Sequence, residues 1–78
     1  MTFNELINKT KDMDLEAMGV YLGKQASKIE TLSCFQDGNE WVMQEVNDRQ
    51  RVSEKRGSEE EIVRKVYGNI KIRSRLMK

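Results

Sequence analysis

The sequence predicts an α+β fold. It consists of a short N-terminal helix, an antiparallel meander of three strands (four if residues 15–23 join it), and a C-terminal helix laid on one sheet face. Three observations carry this. Thr2-Phe3-Asn4-Glu5 and Ser58-Glu59-Glu60-Glu61 both have capping-box spacing, in which a hydroxyl and a carboxylate satisfy each other's free backbone donors at a helix start. Between them, Asp37-Gly38 has the composition of a two-residue hairpin turn, flanked by runs of apolar and β-branched residues. A length of 78 residues leaves room for one core, so residues 1–78 are read as a single domain.

Phe3, Leu6, Ile7 and Met13 follow the first capping box on one helical stripe. Residues 15–23 fit two periods: Met18, Val20 and Leu22 alternate as in a strand, while Leu15, Met18 and Leu22 also suit a helix. Two glycines and a valine lower helix propensity there and favour an extended segment. A turn at Asp37-Gly38 pairs Cys34 with Trp41 and Leu32 with Met43, gathering four apolar side chains on one face. The other face then holds Phe35 opposite Glu40, Ser33 opposite Val42, Thr31 opposite Gln44 and Ile29 opposite Val46. A second turn at residues 47–50 brings Val52 opposite Glu45, adding Val52 to the tryptophan face and Arg51, Ser53 and Lys55 to the mixed one. Gly57 ends the last strand. Ile62, Val63, Val66, Tyr67 and Ile70 form the stripe with which the second helix covers the tryptophan face, making Trp41 the largest anchor of the core.

Composition narrows the function classes. With 37% apolar and 35% charged residues the chain is of globular type. It carries no basic leader followed by a long apolar stretch and no run of membrane-spanning length, and its single cysteine suits a reducing compartment, so a cytoplasmic location is expected. Charge is distributed unevenly. Residues 1–48 hold four lysines and nine acids, whereas residues 49–78 hold ten basic residues and four acids. A core this small has only a few kcal/mol of net stability without staples, and a homodimer would supply further burial.

Chemistry is sparse. There is no histidine, which removes the commonest general base and the commonest metal ligand, and one thiol alone cannot build a zinc cage. Cys34 lacks an activating partner and is read as a small core hydrophobe. Gly19 and Gly23 lack the companions of a phosphate-cradling loop. No enzyme activity, cofactor or metal is therefore expected, which leaves two kinds of binding. One is nucleic-acid binding by the basic C-terminal third through Arg64, Lys65, Lys71, Arg73, Arg75 and Lys78, after which no acid intervenes beyond Glu61. With Phe35 the only aromatic on the mixed face, base stacking on the sheet is not expected. The other is protein binding through the mixed face, where Phe35, Val42, Gln44, Val46 and Arg51 are the candidate contacts.

The run from Cys34 through Asp37-Gly38-Asn39-Glu40-Trp41-Val42 and Glu45-Val46-Asn47-Asp48-Arg49 to Ser58-Glu59-Glu60-Glu61-Ile62-Val63-Arg64-Lys65-Val66-Tyr67 resembles small proteins of Gram-positive bacteria. Some of those are immunity proteins encoded beside polymorphic toxins. The resemblance covers about half the chain and omits its N-terminal third. It implies a cytoplasmic protein that neutralises a cognate toxin by occlusion, with no catalysis and no cofactor. An acidic surface from Asp12, Asp14, Glu16, Asp37, Glu40, Glu45 and Asp48 would complement the basic cleft of a toxin that attacks nucleic acid.

Overall fold

The computed structural model describes residues 1–26 and 28–76. Its elements run α1 (Phe3–Thr10), β1 (Val20–Leu22), β2 (Thr31–Asp37), β3 (Glu40–Val46), β4 (Val52–Gly57) and α2 (Glu59–Leu76). The four strands form one mixed sheet in the order β1-β2-β3-β4, antiparallel throughout except that β1 runs parallel to β2. The expected α+β class, meander and two helices are present, and the fourth strand joins as a parallel edge.

Both helices start as their sequences dictate. The Thr2 hydroxyl accepts from the Glu5 N–H while a Glu5 carboxylate oxygen accepts from the Thr2 N–H, each at 3.2 Å. Ser58 accepts from the Glu61 N–H at 3.3 Å, and Glu59 reaches across to accept from the Phe3 N–H at 3.0 Å. That last bond joins the two helix starts, satisfying a first-turn donor of α1 with a carboxylate that also lies at the positive end of α2. The α2 helix continues unbroken through Gly68 to Leu76.

The two helices share one face of the sheet. Leu6 from α1 and Ile62, Val63, Val66 and Ile70 from α2 close over Val20, Leu32, Cys34 and Met43. The sequence placed Trp41 at the centre of this core, but it lies half-buried at the rim, its ring 5.0 Å from that of Phe3 and tilted by 36°. The buried volume is supplied by the aliphatic side chains instead. Ile7, expected on the α1 stripe, is exposed.

Two registers differ from expectation, with different consequences. The first hairpin turns on Gly38-Asn39, so that Asp37 faces Glu40, Cys34 faces Met43 and Phe35 faces Val42. Only Gly38 of the pair takes positive φ, at 64°, the pattern of a type II′ turn with glycine first, where Asp37-Gly38 would have required positive φ at both. The shift is two residues, so every side chain keeps its face. The β3–β4 connection is longer by one residue. The Asn47 side chain accepts from the N–H groups of Arg49 and Arg51, the Asn47 N–H donates to the Arg51 carbonyl, and Gln50 adopts φ 64°. Val52 therefore faces Val46, and β4 is inverted relative to expectation. Val52 stands on the mixed face, Lys55 stands beside Met43 on the helix face, Ser53 faces Glu45 there, and Arg51 belongs to the loop.

Over β2 and β3 the mixed face is covered by Gln25 and Ala26, from the connection between β1 and β2. The Ala26 N–H donates to the Ser33 hydroxyl at 2.9 Å, and the Gln25 amide donates to Gln44 at 2.9 Å. Ser33, Gln44, Thr31, Val42 and Val46 are all buried beneath it or between their cross-strand neighbours. Among the described residues no buried side-chain nitrogen or oxygen lacks a hydrogen-bond partner.

Candidate functional site

The β2 and β3 part of the mixed face is not the open contact surface expected from the sequence. Val42, Gln44 and Val46 are 0%, 5% and 5% exposed and cannot act as docking anchors; Gln44 is committed to Gln25. What stays accessible is β4, where Val52, Glu54 and Arg56 are exposed, and the end of the face next to the Gly38-Asn39 turn. Phe35, Val42 and Arg56 form one cross-strand row there, with Asp37 and Glu40 in the next.

Arg56 organises this end. Its Nε donates to Glu54 at 3.1 Å and its guanidinium meets Asp37 at 2.9 Å, with Glu40 at 3.9 Å. The hydrogen bonds to Glu54 and then Asp37 push its pKa further above its ordinary value. Three carboxylates surround one guanidinium, so the hairpin end keeps a net negative charge around the half-buried Phe35 ring. Glu45 and Asp48, expected on the same acidic surface, lie at the opposite end of β3 and in the following loop. Sequence reasoning missed Glu54 and Arg56 here, because a one-residue register error put them on the other face.

The basic C-terminal residues are also dispersed. Arg64 pairs with Glu60 at 3.3 Å and Lys65 with Glu61 at 3.7 Å, each one turn apart along α2. Lys71 lies 4.7 Å from the Tyr67 ring centre, with Lys9 of α1 at 5.4 Å from the same ring. Arg73 turns inward, donating to the carbonyls of Met18 and Glu30 at 2.8 and 3.1 Å. Arg75 is exposed, and Lys78 lies outside the described residues. The five described residues do not form one phosphate-facing surface.

Cys34 is fully buried, and desolvation pushes its thiol from 9.0 to about 11. A thiol raised in this way contributes stability below its unfolded pKa, and that contribution is lost as pH rises towards about 11. We predict that Cys34 resists an aromatic disulfide reagent at pH 8 and reacts fully once urea unfolds the chain; rapid labelling of the folded protein would contradict its burial. Among the described residues no cluster of side chains could hold a metal ion, and no helix is long and apolar enough to cross a membrane.

Comparison with known proteins gives no family. The chain matches no protein-family model, no curated protein and no solved structure.

Proposed function

We propose that this protein works in the cytoplasm as a non-catalytic protein-binding module whose contact surface is the β2–β3 hairpin end. The observation that supports this most directly is the half-buried Phe35 ring on the face that carries Asp37, Glu40 and Glu54, with Arg56 bound among these carboxylates. An aromatic anchor within a charged rim has the anatomy of a recognition patch. Its net negative charge selects a basic partner and would speed encounter with it. The resemblance to immunity proteins points to a cognate toxin as that partner, neutralised by occlusion of its basic cleft.

The test is co-expression with the product of the adjacent reading frame, reading growth, together with size-exclusion chromatography of the two purified proteins. The wild type should relieve growth arrest and co-elute. Asp37→Arg with Glu40→Arg, both at exposed positions, should lose both effects while keeping the circular dichroism spectrum. Retention of binding by that double variant would remove the hairpin end as the contact. Nucleic acid is the competing ligand. Sub-micromolar binding to generic DNA or RNA at about 150 mM salt would replace protein binding as the function.

A further inference from the structure

Gly68 has no explanation within the chain. It stands in the middle of α2, where glycine is the most costly residue after proline. Its φ is not positive, and a Cβ built there meets no atom within 4 Å. Neither backbone conformation nor internal packing requires the missing side chain. A bare backbone at an exposed helix position does permit one thing, the close approach of another backbone.

The residues around it belong to the same helical stripe. Glu61, Lys65, Gly68, Ile72 and Leu76 follow at spacings of four, three, four and four. Ile72 and Leu76 are 56% and 80% exposed, two large apolar side chains one turn apart with no place in the core. Ile72 and Gly68 also border an open, mostly polar groove against the sheet, lined by Met43, Glu45, Lys55, Lys65 and Asn69.

Charge identifies the occupant. Glu60 and Glu61 lie exposed at the start of α2 and Lys71 and Arg75 lie exposed near its end, while Glu59 and Arg73 are committed within the chain. A helix acidic at one end and basic at the other is complementary to itself when reversed, and reversal also opposes the two helix dipoles. Self-complementarity is what a two-fold interface demands. We infer that two copies of this chain associate through α2, antiparallel and crossing at Gly68. In that arrangement Glu61 lies near the partner's Arg75, and Ile72 rests on the aliphatic stems of the partner's Arg64 and Lys65. This surface lies on the helix layer, and the inference is independent of the hairpin-end reading.

Sedimentation equilibrium of the full chain over a concentration series provides the test. The wild type should dimerise. Gly68→Leu and Ile72→Glu should each raise the dimer dissociation constant at least about tenfold while leaving helix content intact, since neither side chain is needed inside the fold. Arg75→Glu alone should weaken the dimer, and adding Glu61→Arg should restore it. A monomer at every concentration up to about 1 mM would overturn the proposal. So would a dimer that ignores Gly68→Leu and Ile72→Glu, or a charge exchange that fails to rescue.

Discussion

Val42→Asp should unfold the domain. Val42 is 0% exposed in the second of three antiparallel strands, with Phe35 opposite it on β2 and Arg56 on β4. An aspartate carboxylate extends little further than the methyl groups it replaces, so it stays in the buried site, where a charge without a partner costs several kcal/mol. That matches or exceeds the few kcal/mol available to a domain of this size. A glutamate at 42 would be a weaker probe, because its longer chain could reach the Arg56 guanidinium. Val52→Asp is the matched control: it lies on the same face but is 59% exposed, and should change stability by no more than about 0.5 kcal/mol. Circular dichroism in a urea series reads both. A folded Val42→Asp variant with wild-type stability would mean that the site at Val42 is open to water.

What the sequence disclosed depended on how locally each feature is determined. Capping boxes are settled within four residues, and both helices begin where Thr2 and Ser58 place them. The helix face of the sheet was also legible, since Leu32, Cys34 and Met43 point the same way in any register that shifts by two. The β3–β4 loop was not, because its outcome turned on one residue: Gln50 in a left-handed conformation lengthens the turn and inverts β4. With β4 went part of the candidate site, as Arg56 and Glu54 joined Phe35 on the mixed face while Lys55 left that face. Gln25 and Ala26 gave least warning. Their cover of the mixed face is built from Gln25 to Gln44 and Ala26 to Ser33, polar contacts with no hydrophobic period to mark them.

Trp41 contributes less at the rim than it would at the centre of the core. As the centre of the core its truncation to alanine would cost about 3 to 5 kcal/mol. As a half-buried rim residue stacked on Phe3 it forfeits less, because part of its area is already in water. The apolar contributions that cannot be spared lie with Leu6, Leu32, Ile62 and Ile70, all fully buried. Three of these are more than twenty residues from one another in sequence, so the core is assembled mainly by contacts between distant elements.

Gly19 is the position where a single methyl group should do most harm. It adopts φ 73°, in the left-handed region, and a Cβ there would sit 2.7 Å from the Glu30 carbonyl oxygen, a backbone atom that cannot rotate away. That carbonyl accepts from Arg73, and Gly19's own carbonyl accepts from the Leu32 N–H, the first bond of the parallel pair. Two costs therefore add. The left-handed conformation alone penalises an alanine by roughly 1 to 2 kcal/mol. Displacing Glu30 would in addition disturb a hydrogen bond to a charged donor, worth roughly 1.5 to 3 kcal/mol. Gly38→Ala separates the two terms, since Gly38 has φ 64° and open space around its missing Cβ. Urea unfolding of both variants should place Gly38→Ala about 1 to 2 kcal/mol below the wild type and Gly19→Ala at least as far again below that. Equal losses would show that the Glu30 carbonyl yields without cost. The junction of Arg73, Glu30 and β1 would then not be the rigid anchor at which α2 holds the edge of the sheet.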